Sequence, residues 1–277
     1  MTKNKRILIT GVAGSIGSEL ARQLCKNNKV FGIDLNESGF FDIQQETGIF
    51  GRVGNITDEK TCFDIFSDFK PQIVYHAAAY KHVPLMERYP IEAIQTNVMG
   101  TWNVIKEAKN WECLEKFVFI STDKAVQSTS IMGATKRLGE ILVKNQGKRF
   151  VVVRFGNVLG SRGSLMQIWQ KQMDEGKKLT VTDEKMERYF MTIQDACYLV
   201  IRAGEIGGGG EIICLDMGKK YNVQELALDI LNKCGKSGEI EIIGKRPGET
   251  FTEEIMFEEE KTRAEKIEDF YIIKNGI

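Results

Sequence analysis

The sequence predicts an α/β protein with a doubly wound parallel sheet and a smaller C-terminal α/β region. Three observations carry that prediction. Short β-branched runs alternate with amphipathic helical stretches from Arg6 to about residue 155. The first run leads into a glycine turn, Gly11-Val-Ala-Gly14-Ser-Ile-Gly17, and the second ends on an acid, Asp34. A later run, Phe117 to Ile120, stops abruptly in Ser121-Thr122-Asp123-Lys124, at the carboxyl end of a strand where open parallel sheets bind ligands. The expected division is a dinucleotide-binding Rossmann-type unit with the catalytic residues over 1–155 and a smaller substrate-binding region over 156–277, with interleaved segments allowed.

Composition narrows the classes. The chain has 277 residues, 42% of them hydrophobic, enough for a large core. Lys plus Arg equals Asp plus Glu at 38 each, so no general electrostatic footprint for nucleic acid exists. The six cysteines are scattered without a C-x-x-C pair and read as reduced packing residues. With two histidines and no H-E-x-x-H pattern, no metal site is expected. The start enters a strand at once, and no apolar run approaches the roughly 18–20 residues that span a bilayer. These features predict a soluble, cytoplasmic protein with no membrane segment.

Taken in order, Arg6 to Thr10 is a strand, Ser18 to Asn27 an amphipathic helix and Val30 to Ile33 a second strand. Gly11, Gly14 and Gly17 let the backbone approach a pyrophosphate, and the helix start, with Ser15 and Ile16, offers N–H groups to its charge. Asp34 would accept from adenosine ribose hydroxyls and repel a 2′-phosphate, favouring NAD, with NADP left open. Asp58 caps a helix running to Phe69. Pro71 opens the strand Gln72 to Tyr75, which runs into Ala77, Ala78 and Ala79, three small residues that leave room for a ligand, and on to Lys81 and His82. Pro90 to Lys109 is a long helix holding Asn97 among apolar neighbours. Ile131 to Lys144 is another, with Met132 and Lys136 four apart on one face. Arg149 to Arg154 is the sixth strand, followed by the glycine-rich loop Phe155 to Ser164.

Beyond it, helices are expected at Leu165 to Glu175, Ile193 to Ala203 and Val223 to Cys234. Strands are expected at Leu179 to Thr182, Glu211 to Leu215 and Glu239 to Ile243. Two further segments, Arg188 to Thr192 and Arg246-Pro-Gly-Glu249, complete the region. The charged run Glu258 to Lys266 reads as a solvated helix or turn.

Strand-end Ser/Thr followed by a helix carrying a lysine resembles the extended short-chain dehydrogenase/reductase family, whose helix bears Tyr-x-x-x-Lys. Here Met132 takes the tyrosine place. STDKAV followed by MGATKR, with AAYKHVPLME, FGNVLGSRGS, ERYFMTI and RPGE, resembles the capsular-type UDP-N-acetylglucosamine 4,6-dehydratases within that family. Ser128 stands where that family commonly has proline, and Thr250 where RPGEK has its lysine.

The resemblance implies oxidation at C4 of a UDP-sugar, loss of water across C5 and C6, and return of the hydride to C6. It assigns Lys124 as the base at C5, kept partly neutral, and Asp123 as a protonated acid for the departing C6 hydroxyl. Thr122 would bind the C4 oxygen and Lys136 the nicotinamide ribose. Asn55 and Ile56, in a sequence similar to the family's G-D-I-x-D, would meet the adenine edge. Lys81, His82, Asn97, Asn157, Arg188, Arg246 and Glu249 are carried over as the substrate side, with Asn97 as a brace of the active-site backbone. It also implies a homo-oligomer paired through the two long helices, while larger members carry membrane-spanning segments ahead of this catalytic part. A thioether takes no proton, so two rivals stay open: a 4-epimerase or 4-reductase, and a dinucleotide-binding module without turnover.

Overall fold

The computed structural model describes residues 2–235 and 239–274. Six parallel strands follow one another through the first half: β1 (Arg6–Thr10), β2 (Lys29–Asp34), β3 (Phe50–Val53), β4 (Ile73–His76), β5 (Lys116–Thr122) and β6 (Phe150–Phe155). Helices Ser15–Leu24, Glu37–Thr47, Glu59–Phe69, Thr101–Asn110 and Ile131–Lys144 connect them. β1, β4, β5 and β6 are buried along nearly their whole length, which is why they read as unbroken apolar runs instead of alternating ones.

The later strands are β7 (Asn157–Leu159), β8 (Leu179–Val181), β9 (Glu187–Thr192), β10 (Ile212–Leu215), β11 (Lys220–Asn222), β12 (Ile240–Ile242), β13 (Ala264–Ile267) and β14 (Phe270–Ile273). Three of them return to the first unit. The large sheet runs β13-β14-β10-β6-β5-β4-β1-β2-β3, parallel from β10 to β3, with β14 and β13 added antiparallel at the far edge. The order reverses between β1 and β4, which places a crevice at their carboxyl ends. The helix Ile193–Ile206 also packs back on Ser15–Leu24. The second region is therefore interleaved with the first.

Its own core is small: Trp169, Met173, Leu179, Val181, Met186, Val223, Ala227 and Leu231. Helices Leu165–Asp174 and Val223–Lys233 and the β8–β12 pair enclose it, and the Trp169 indole donates to Thr180 O at 2.9 Å.

Some local details differ from expectation for identifiable reasons. The first helix starts at Ser15, not Ser18, because Gly14 already sits at its cap. A Cβ on Gly17 would lie 2.1 Å from Gly11 O, so this first turn can rest on the glycine loop only without a side chain. The helix Glu37–Thr47, not expected from the sequence, is capped by Asn36, whose side chain accepts from Gly39 N. The long helix from Pro90 contains a π-helical stretch, Ile94–Gly100, which carries Asn97. Arg188 to Thr192 is part of strand β9. Asp58 does cap its helix, accepting from Lys60 N and Thr61 N.

The charged run after Glu258 is exposed for most of its length and opens with the helix Glu258–Lys261, but it departs from expectation at Glu260 and at Ala264–Ile267, which is strand β13. Glu260 is buried, as is the Arg154 guanidinium it meets at 2.7 Å, and Arg154 also holds Glu140 at 2.8 Å. Ser121 donates to Glu140 at 2.6 Å. This network ties the C-terminal segment to β5, β6 and the helix bearing Lys136. Among the described residues no helix is long and apolar enough to cross a membrane.

Candidate active site

A cleft of about 600 Å³ runs from the glycine turn, past the ends of β4 and β5, to the segment at Arg246 and Glu249. Gly11, Gly14, Ser15, Ile16 and Gly17 line one end. Gly11 has φ +70, and a Cβ there would meet Ala78 N at 2.6 Å, so the turn closes directly on the alanine strand end. The first-turn N–H groups of the helix face an end with no intrahelical acceptor, as an anion site requires. Ser15 Oγ accepts from Arg162 N at 2.9 Å and joins the turn to the glycine-rich loop across the cleft.

Asp34 is fixed beside this turn, accepting from Ala13 N and Asn36 N at 2.9 Å each. Each oxygen keeps a lone pair for a ribose hydroxyl. Asn55 bends back to accept from Thr57 N at 2.9 Å, and Ile56 is buried with its carbonyl taken by Asn103. Asp34, Asn55 and Ile56 lie beside the cleft and do not line it. Ala77 and Ala79 line it, with Ala78 beneath Gly11.

Under the strand ends runs a chain of defined polarity. Thr101 Oγ donates to Asn97 O at 2.7 Å, so it accepts from His76 Nε2, and His76 Nδ1 then accepts from Thr10 Oγ at 2.7 Å. Burial and nearby Lys136 push the His76 pKa down to about 3, so this ring is neutral. Asn97 is buried too. It clasps Tyr80 by accepting from N at 2.8 Å and donating to O at 3.0 Å, and it also donates to Thr135. Its place is that of a brace, and its assignment to the substrate side is corrected: its polar atoms are spent within the fold.

Lys136, also buried, has its Nζ 4.0 Å from the Phe119 ring centroid and makes no hydrogen bond to a described residue. Burial lowers its pKa to about 7. A buried amine aimed into a cleft next to a glycine turn fits a dinucleotide's ribose. Met132 lines the same wall and packs on Met86 and Ala93, as a flexible apolar side chain does.

The centre of the cleft holds a cluster that adjacent residues alone do not explain. Lys124 Nζ lies 3.1 Å from Asp123 Oδ1, 3.1 Å from Asn157 Oδ1 and 2.8 Å from Glu253 Oε2. All three of its N–H bonds are thereby committed. Burial opposes its charge, but the two carboxylates prevail and raise its pKa. The expectation of a partly neutral Lys124 is thus corrected: it is an ammonium here. The pKa of Asp123, fully buried, is raised as well; desolvation, with Glu253 adding repulsion, lifts it to about 7 against the pull of Lys124. Glu253 is lowered: its burial is outweighed by Lys124 and Arg188. Asp123 does not itself line the cleft; Thr122 does, and Thr122 Oγ donates to Asp123 Oδ1 at 2.9 Å.

The expected substrate side is partly reassigned. Arg188 points at the C-terminal segment, donating to Phe251 O and Thr250 O, with Nε 3.4 Å from Glu253. Its guanidinium positions Glu253 and has no fork left over for a diphosphate. Lys81 donates to Arg162 O at 2.7 Å, and His82 packs under Gly163; burial lowers the pKa of both. Arg246 and Glu249 line the far end, linked by Arg246 N donating to Glu249. Glu253 was not found from the sequence, since it stands outside every motif quoted above.

Glycine turn, switch-point crevice and strand-end Thr122 with Lys136 define an extended short-chain dehydrogenase/reductase. The profile of the family described as "Polysaccharide biosynthesis protein" matches residues 7–275, and the chain belongs to that family. It is 44% identical over 271 residues to the capsular polysaccharide biosynthesis protein CapD of Staphylococcus aureus, covering 91% of this chain and 45% of that one. The chain thus spans about half the length of this curated relative. A UDP-glucose 4-epimerase of Rickettsia rickettsii is 32% identical, with 99% and 84% covered. Among solved structures, Pen from Bacillus thuringiensis superposes with a TM-score of 0.91 at 35% identity, covering 98% of this chain and 88% of Pen.

Proposed function

We propose that the protein is a nucleotide-sugar-modifying enzyme, and specifically a 4,6-dehydratase that converts UDP-N-acetylglucosamine to a UDP-4-keto-6-deoxy-N-acetylhexosamine for glycan or polysaccharide synthesis, acting in the cytoplasm. The observation that carries this is the Asp123–Lys124 pair, held 3.1 Å apart beside a cleft-lining threonine. A 4-epimerase exchanges hydrogen at C4 alone and has no use for an acid and base at C6 and C5. The glycine turn and Lys136 would hold a nicotinamide dinucleotide, which would supply the hydride acceptor and donor for C4 and C6; Asp34 beside the glycine turn supports NAD over NADP.

The chain's own groups then carry the protons. Thr122 receives the C4 hydroxyl and, through its bond to Asp123, passes the hydroxyl proton to that carboxylate. A carboxyl whose pKa lies near 7 can take this proton and later give it up, so the missing tyrosine at Met132 is not needed. Lys136 holds the ribose and its charge favours loss of the C4 proton. Lys124 accepts the C5 proton, and Asp123 returns its proton through Thr122 to the departing C6 oxygen. Incubation with UDP-N-acetylglucosamine and NAD should yield a product lighter by one water. An unchanged sugar mass after full turnover would favour the epimerase reading, and no turnover of any UDP-sugar the binding-module reading.

The assembly is also part of this reading. Ile91, Ile94 and Trp102 on one long helix, and Leu138 and Ile141 on the other, are exposed. Several exposed apolar side chains on helices that pack together call for a covering surface, and we take it to be a second copy. Sedimentation at micromolar concentration should show at least twice the chain mass; a monomer alone would contradict it.

A further inference from the structure

Lys124 presents a difficulty that its immediate neighbours pose and a distant one resolves. A base at C5 needs a lone pair, yet the amine donates to three oxygens and carries its proton. Lys124 lines the cleft, so a bound sugar would cover its open side, and the acceptors then in reach of its proton are the groups it already touches. Three acceptors touch it. Asn157 is an amide and takes no proton. Asp123 is occupied by the C4 hydroxyl proton at this stage of the reaction. Glu253 remains: it is buried, lines the cleft, makes the shortest of the three contacts and is oriented from behind by Arg188.

We propose that Glu253 is the proton store of the site, a positioning carboxylate that takes the Lys124 proton once bound substrate excludes water from the ion pair and disfavours its charged form, so that Lys124 can act as base. This rests on the dehydratase reading above. The protons balance over one cycle. At the start Asp123 and Glu253 are ionised and Lys124 is charged. Asp123 gains the C4 hydroxyl proton. Lys124 passes one proton to Glu253 and the freed lone pair breaks the C5–H bond. The C6–O bond breaks as Asp123 gives its proton to the departing oxygen, and water is complete. Hydride reaches C6 while Lys124 returns a proton to C5. Glu253 then gives its proton back to Lys124, restoring the starting state without a net proton from solvent.

The charged groups facing Glu253 are Asp123 and Lys124 from the end of β5 and Arg188 from β9, with Lys81 near Lys124 from the β4 side. Neutralising Glu253 therefore leaves Lys124 with Asp123 as its one anionic partner. Arg188 and the backbone bonds it makes to 250–251 would still hold the segment.

The test is Glu253→Gln beside Glu253→Asp in the full chain, read by product formation and by solvent deuterium entering C5. The glutamine variant keeps a hydrogen-bond acceptor but stores no proton. Its kcat and C5 exchange should fall about a hundredfold at neutral pH, with KM within about threefold, the size of a proton-transfer effect. Its rate should climb about tenfold per pH unit toward alkaline pH as Lys124 loses its proton directly, a slope the unmodified protein lacks. Glu253→Asp should recover much of the rate. Glutamine and unmodified protein with equal kcat and parallel pH profiles would overturn the proposal, as would a variant whose loss lies in KM and thermal stability alone. An unmodified protein that dehydrates no UDP-sugar would overturn the functional reading itself, and the proposal with it.

Discussion

Lys124→Ala is expected to cost about a hundredfold or more in dehydration, the usual size of a general-base contribution, while the protein still binds dinucleotide and UDP-sugar. The glycine turn, Asp34 and Lys136 lie on other elements and keep their contacts when the amine is removed. The fold should tolerate the change because Asp123, already raised by burial, becomes protonated once its cation is gone, and Glu253 keeps Arg188. Solvent deuterium at C5 of the product, expected with the unmodified protein, should vanish in step with activity. A variant with normal turnover would remove Lys124 from the chemistry.

The second large effect is on stability. Arg154 is fully buried between Glu140 and Glu260 and also donates to Ile255 O. Arg154→Met fills much of the volume but leaves buried Glu140 and Glu260 with only the partly exposed Arg137 as a cation, at 2.9 and 3.8 Å, which should cost about 3 kcal/mol, the low end for breaking a buried pair. For a chain of this size that lowers the thermal midpoint by about 2–4 °C for each kcal/mol. The pH dependence has a definite sign. In the unmodified protein Glu140 lies below the usual carboxylate range: burial alone would raise it, but the Arg154 charge prevails. Its stabilisation is present above its unfolded pKa and is lost as pH falls through the depressed folded one. In the variant, burial of Glu140 is opposed by Arg137 alone, its carboxyl moves up, and less of its stabilisation remains as pH rises. The gap between the two proteins should therefore narrow as the pH is lowered toward the carboxylate range. Calorimetry across that range checks it; a gap independent of pH would mean that packing, not charge, holds the segment.

How much of this was legible in the sequence follows from how far apart the cooperating residues lie. The parallel part of the large sheet was readable because its strands are short apolar runs and its glycine turn needs three positions without side chains, both local signals, whereas the antiparallel edge strands β13 and β14 were not expected. Asp123 and Lys124 were readable because they are adjacent at a strand end. Their protonation states were not, since these depend on Glu253, 129 residues away from Lys124 and outside any motif. Glu260 looked solvated because its partner Arg154 is on a central strand 106 residues earlier. Arg188 looked like a diphosphate ligand because an arginine's sequence position does not say which acceptors its fork will meet. Helix Glu37–Thr47 was missed although its cap, Asn36, is a local signal of the usual kind.

The central claim is that hydrogen leaves C4 and arrives at C6 while water departs. UDP-N-acetylglucosamine deuterated at C4 tests it most directly, with the product read by mass and by proton spectra. A dehydratase gives a sugar lighter by one water with the label in its new C6 methyl group. A product of unchanged composition with deuterium still on C4 would contradict the account and make the protein an epimerase.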